Sequence, residues 1–156
     1  MSIWDWAVDA YTREGVEEAC LELQDGYDQN VPYLLWAAWA AAVGRALDAE
    51  VLEMGGETAR IWNDAAIEPL RIIRRRLKKP LPDMGDEARE SLRAQVKAAE
   101  LSAERLLLED LETLAPEAQS QTLPLTPALV AAAKAWSSVT PRAQLETLAA
   151  ALSDPS

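Results

Sequence analysis

The segment LLWAAWAAAVGRAL, residues 34–47, constrains this chain more than any other. It is apolar nearly all round, so a helix formed from it has no face to give to water and must be enclosed by its neighbours. Asn30 stands before it as an N-cap, with Pro32 in the first turn. Its small residues, Ala38, Ala41, Ala42 and Gly44, let other helices approach closely, while Trp36 and Trp39 fill gaps and bring indole N–H groups that need partners. The expectation is a central buried helix with the rest of the chain wrapped around it.

The flanking sequence supplies helices for that role. Ser2 and Asp5 form a capping-box pattern, and Trp4, Ala7, Val8 and Tyr11 then share one face to about Arg13. Gly15 breaks this helix. Val16, Ala19, Cys20 and Leu23 mark a second one, which Gly26 is expected to stop. Gly55-Gly56 reads as a turn, after which Ile61, Trp62, Ala65 and Ala66 open a fourth helix. Pro69 should end or kink it, with Leu70, Ile73 and Leu77 resuming the face until Pro80 and Pro82. From Asp86 to Leu114 a long stripe of Ala88, Leu92, Val96, Ala99, Ala103, Leu107, Leu111 and Leu114 repeats at about 3.7 residues, too long a period for a left-handed coiled coil. The stretch PEAQSQTLPLTP reads as a linker, and two short helices follow, one opened by Pro127 and one by Thr140-Pro141. No β-type alternation is present. The predicted fold is all-α: a bundle of about five helices over residues 2–114, a linker at 115–126 and a small helical C-terminal tail at 127–156.

Residue usage removes much chemistry. Among 156 residues there is no histidine, the usual proton shuttle and metal ligand near neutral pH. Cys20 is a lone cysteine, so neither an intramolecular disulfide nor a CxxC pair can form, and its place between Val16 and Leu23 predicts a buried, inert thiol. No cofactor or metal motif is present, and the acidic corner Glu17, Glu18, Glu22, Asp25 and Asp28 lacks calcium-loop spacing and reads as solvated surface. The cysteine usage, the acidic N-terminus without a signal-peptide pattern and the lack of an 18-residue apolar run set the expectation of a cytoplasmic protein with no membrane span.

Two constellations stand out. The run RIIRRRLKK gathers Arg71, Arg74, Arg75, Arg76, Lys78 and Lys79 in a chain whose net charge is −11. It is either an anion-binding patch or a set of partners for the chain's own acids, such as Glu100, Glu104 and Glu109. Nucleic acid is disfavoured because the remaining surface repels phosphate and no aromatic interleaves the run. The second is the set Trp4, Trp6, Trp36, Trp39 and Trp62, in a chain without phenylalanine. Most of these are core. Trp4 and Trp6, about 200° apart on a helix, cannot both face it, so one covers a groove or meets a partner.

The combination of Trp4, GVEEACLELQD, NVPYLLWAAW with Gly44, and IWNDAAIEPLRIIRRRLK resembles an uncharacterised proteobacterial family of small conserved hypothetical proteins, over roughly Trp4 to Lys79. The resemblance implies no activity. It does group Gln24, Asp25, Asn30, Trp36, Trp62, Arg71, Arg74 and Lys78 as matching positions that are not aliphatic core. With Trp4 and Arg75 these are the candidate ligand- or partner-binding residues. Two functions are carried forward: a non-enzymatic interaction protein that binds a protein partner or its own copy through a Trp and Arg/Lys surface, or a carrier or enzyme for an apolar molecule with an anionic head. The Ala-rich helices are expected to leave little cavity for the second.

Overall fold

The computed structural model describes residues 1–119 and 121–153. Ser120, inside the expected linker, and residues 154–156, at the end of the expected tail, lie outside the described residues. The chain is all-helical, with no strand among the described residues: α1 (Ile3–Tyr11), α2 (Val16–Tyr27), α3 (Val31–Ala42), α4 (Ala49–Trp62), a π turn (Asn63–Ile67), α5 (Glu68–Arg76), α6 (Asp86–Leu114), α7 (Leu125–Trp136) and α8 (Arg142–Ser153). Residues 49–76 run on without a break, so the described residues form seven helices rather than about five. The two beyond the five-helix bundle are α7 and α8, expected as a separate tail, which instead bury Leu129, Ala132, Ala133, Leu145 and Leu148 in the same core as α3. No helix among the described residues is long and apolar enough to cross a membrane.

The core is built around α3. Tyr33, Leu34, Trp36 and Trp39 are at most 1% exposed, and α7, α6, α1 and α4 pack around them. Burying side chains of this size contributes roughly 1.5–3 kcal/mol each. Asn30 caps the helix, its Oδ1 accepting the Tyr33 N–H at 3.0 Å. Gly44 ends it at φ 75°, and the Arg45 N–H reaches back to the Ala40 carbonyl at 2.7 Å. The Gln119 N–H donates to the Gly44 carbonyl and the Leu123 N–H to that of Ala41, so the connecting segment is tied to the end of α3.

Several boundaries differ from the sequence reading for identifiable reasons. Gly26 lies inside α2, and Asp28 takes the left-handed C-cap position at φ 52°, a conformation aspartate tolerates. Gly55-Gly56 is not a turn. Both glycines are buried within α4, and Gly55 lies so close to the Trp36 ring that a Cβ there would stand 2.4 Å from Cζ3. Their role is to let α4 approach the central helix. α7 starts at Leu125, with Pro127 inside its first turn.

At Pro69 the helix does not stop. A proline there removes the N–H that would reach the Ala65 carbonyl and crowds that carbonyl with its ring. The chain answers with the π turn, in which the Glu68 N–H donates to the Asn63 carbonyl, and then continues to Arg76. One inserted residue rotates everything after it by about 100°. The inward face therefore passes from Ala59 to Ile67, Arg71 and Arg74, while Ile72 and Ile73 are exposed.

Candidate functional site

The rotation at the π turn and the turn between α2 and α3 together enclose a polar cavity of about 530 Å³. Its walls are the end of α2 (Gln24, Asp25), the turn (Asp28, Gln29, Asn30), the π turn (Asn63, Ile67), α5 (Glu68, Arg71, Arg75) and Trp136 at the end of α7. Five of the ten candidate residues thus come together here: Gln24, Asp25, Asn30, Arg71 and Arg75.

The cations are already engaged. Arg71, 7% exposed, donates from Nη1 to Glu68 at 2.8 Å and keeps Nε 3.4 Å from Glu100. Arg75 pairs with Asp25 at 2.9 Å near the surface. Arg74 points away toward Glu100, with Nε 2.5 Å from Oε2, and that bond raises its pKa further. Half of the basic run is therefore taken up by the chain's own acids, Glu68, Glu100 and Asp25. Lys78 is exposed and has no ion pair among the described residues.

On the acceptor side, Gln29 is 4% exposed; its Nε2 donates to the Val139 carbonyl at 3.4 Å while Oε1 has no partner. The Asp28 carbonyl accepts the Trp136 indole N–H at 2.9 Å, leaving its carboxylate without a hydrogen bond or ion pair among the described residues. Arg60 covers the Trp136 ring, its guanidinium carbon 4.1 Å from the ring centre, and fixes the indole at the cavity wall.

A second, apolar cavity of about 350 Å³ adjoins the first across Gln24, Val31 and Pro32. Val31, Pro32 and Leu35 floor it, with Trp4 and Val8 of α1 on one side and Leu101, Glu104 and Leu108 of α6 on the other. Trp6 is in the core, so Trp4 is the tryptophan of that pair that borders the groove, with Arg105 stacked on its ring. Glu104 is the one ionisable group in this compartment whose charge is finely balanced. Burial, then the charge of Glu100, pushes its carboxyl up to about 7, against the pull of Arg71 and Arg74. Cys20 lies nearby on the buried face of α2, 2% exposed, its thiol pushed up to about 12 by burial.

With the two compartments in place, residues 2–111 match a single family along most of the groove's length. The chain belongs to the family described as Protein of unknown function (DUF2390). No curated protein and no solved structure matches the chain. The DUF2390 region contains every wall of both cavities except Trp136, which α7 contributes from beyond it.

Four candidates lie outside the two cavities. Trp36 is fully buried against Gly55, its indole N–H without a partner. Trp62 is half-buried and donates to Asp110 at 2.9 Å on the far side of α6, and Lys78 projects from the end of α5. Arg74 borders a shallower surface cavity that also includes Gln24, Lys97 and Glu104. The sequence reading missed Asn63, Glu68, Gln29, Glu104 and Trp136 as site residues. For Gln29 a signal existed: the polar run Asp28-Gln29-Asn30 directly precedes a helix enclosed on all sides, so its side chains must face inward or line an opening.

Proposed function

We propose that this chain is a non-enzymatic binding protein for a small amphipathic molecule. The apolar body lies along Trp4, Val8, Leu35 and Leu101, and the polar head reaches Gln29, Asn30 and Asn63. One observation carries the reading: an apolar and a polar cavity adjoin across Gln24, Val31 and Pro32, each within the roughly 300–1,000 Å³ typical of small-molecule sites. Burial of the body supplies affinity at about 0.8 kcal/mol per CH₂. The amides at the other end fix orientation. A tryptophan borders each compartment, so fluorescence titration of the wild type, Trp4→Phe and Trp136→Phe with decanol and decanoate tests the reading. The expected result is saturable quenching that each variant diminishes. Absence of quenching by decanol, the uncharged probe, overturns it.

A second reading keeps the interaction protein, favoured by a different observation. Val8, Leu21 and Leu101 are each at least half exposed beside the groove. Arg76, Lys78 and Lys79 stand without ion pairs among the described residues. An adaptor in the cytoplasm would use this face for a protein partner or a second copy, and the surrounding acidity still disfavours nucleic acid. Light scattering across a concentration series, with an affinity pull-down comparing wild type and an Arg76/Lys78/Lys79 triple alanine variant, separates this reading from the carrier.

A further inference from the structure

Resting on the small-molecule reading, we infer that the ligand's head group is a cation, a protonated amine, and not the anion that the basic run suggests. The inference follows from which polar groups of the cavity are already satisfied. Three carboxylates, Asp25, Asp28 and Glu68, face two guanidiniums, Arg71 and Arg75. Both guanidiniums are paired, Arg71 with Glu68 and Glu100 and Arg75 with Asp25. An incoming carboxylate or phosphate must therefore break an existing ion pair or enter beside its acids, where like charge repels it.

The cavity residues carry two buried polar atoms without a hydrogen bond: a donor, Arg71 Nε, which lies 3.4 Å from the Glu100 carboxylate that neutralises it, and an acceptor, Gln29 Oε1. Gln29 Oε1 sits on a side chain 96% buried, while the exposed Asp28 carboxylate, open to water, has no protein partner among the described residues and is free to meet a ligand cation. A buried carbonyl oxygen without a donor costs free energy that a donor from the ligand restores. An ammonium brings three donors and no acceptor, which matches this inventory, and a carboxylate brings none. Charge–charge attraction acts in the same direction at long range, since the chain carries −11. The amine's chain then lies along Trp4 and Leu35, with Trp136 beside its head.

The test is calorimetric titration of the full chain with four probes of one chain length, each below its aggregation concentration: decylammonium, decanol, decanoate and decyl phosphate. Decylammonium is expected to bind about tenfold more tightly than decanol, the worth of one charge-assisted hydrogen bond, and the two anions more weakly than decanol. Added salt should weaken decylammonium alone. Asp28→Asn is the decisive variant because asparagine accepts the left-handed backbone of that position, so the turn stays intact. It is expected to reduce decylammonium affinity about tenfold and to change decanol affinity much less, since a neutral hydroxyl loses only an uncharged donor's contact. Binding of decanoate or decyl phosphate as tight as decylammonium, or an Asp28→Asn variant that binds decylammonium normally, overturns the cationic head while leaving the groove reading intact. If none of the four binds, the groove reading and this inference fall together.

Discussion

Gly55→Ala and Gly56→Ala place the same methyl group at neighbouring positions of α4, and the structure assigns them opposite effects. In a helix interior alanine is favoured over glycine by roughly 1 kcal/mol, because glycine loses more backbone entropy on folding. At Gly56 the new Cβ meets only the Tyr33 hydroxyl and ring at 3.7 and 3.8 Å, ordinary contact, so the gain survives. At Gly55 it would lie 2.4 Å from Trp36 Cζ3 and 2.6 Å from Cη2, and that ring is fully buried and cannot swing aside. Overpacking of this kind costs about 1–3 kcal/mol, and a rigid indole places it near the top of that range. The net expectation is a loss of about 2 kcal/mol for Gly55→Ala and a gain approaching 1 kcal/mol for Gly56→Ala. For a chain of this size the midpoints move by roughly 2–4 °C per kcal/mol, giving a fall of about 4–8 °C and a rise of about 2 °C. Thermal unfolding followed by far-ultraviolet circular dichroism reads both. If the two variants shift the midpoint in the same direction, the close approach of α4 to Trp36 is refuted.

Glu100→Ala leaves Arg71 and Arg74 facing each other without their shared carboxylate, and a loss of about 3 kcal/mol is expected, at the lower end for a broken buried pair because Arg74 can turn toward water; urea midpoints comparable to wild type would contradict it. Glu104 titrates near 7 when folded against 4.5 in an ordinary carboxyl, so its contribution is fully present below about pH 4.5 and is lost as the pH rises through 7. Glu104→Gln should shrink the stability difference between about pH 5 and pH 8 by at most about 3 kcal/mol, reduced by whatever solvent screens the group, and an unchanged difference in urea midpoints would count against its burial. Cys20, with its thiol pushed up to about 12, is expected to resist alkylation at neutral pH in the folded chain and to react at once in denaturant. Mass spectrometry of the two samples reads this directly, and rapid labelling of the folded protein would show the α2 face to be open.

The helical class was legible because most elements obey one rule, that a helix buries the residues it repeats every three to four positions. The central helix was the clearest case: a segment without a polar face is enclosed whatever its partners are. α6 was legible in its bounds and only half legible in its burial. Ala103, Leu107 and Leu111 enter the core as the stripe requires, whereas Leu92 is 44% exposed and the buried residues nearer the start are Arg89 and Glu100. A stripe records which face could be buried, and the neighbour decides how far along the helix it is. There α6 meets α5, whose inward residues are arginines, so charge complementarity replaces apolar contact.

The same cause limited the reading of the site. Periodicity carried through Pro69 predicts Leu70 and Ile73 as the inner face of α5, and in a continuous α-helix they would be. A sequence shows that a proline disturbs a helix; it does not show whether the helix ends, bends or absorbs one extra residue. Here it absorbs one, and the face beyond turns by about 100°. That rotation takes Arg71 from the expected surface into the wall of the polar cavity, beside Asn63 of the π turn itself, and sends Ile73 outward. It also explains why the basic run is not the free patch its composition suggests. The residues turned inward, Arg71 and Arg74, are those that find Glu68 and Glu100, while Arg76, Lys78 and Lys79 follow the helix out to solvent. Grouping by motif brought Gln24, Asp25, Asn30 and Arg71 together without knowledge of the turn, but the charge balance of the cavity depends on pairings that only the rotated helix creates.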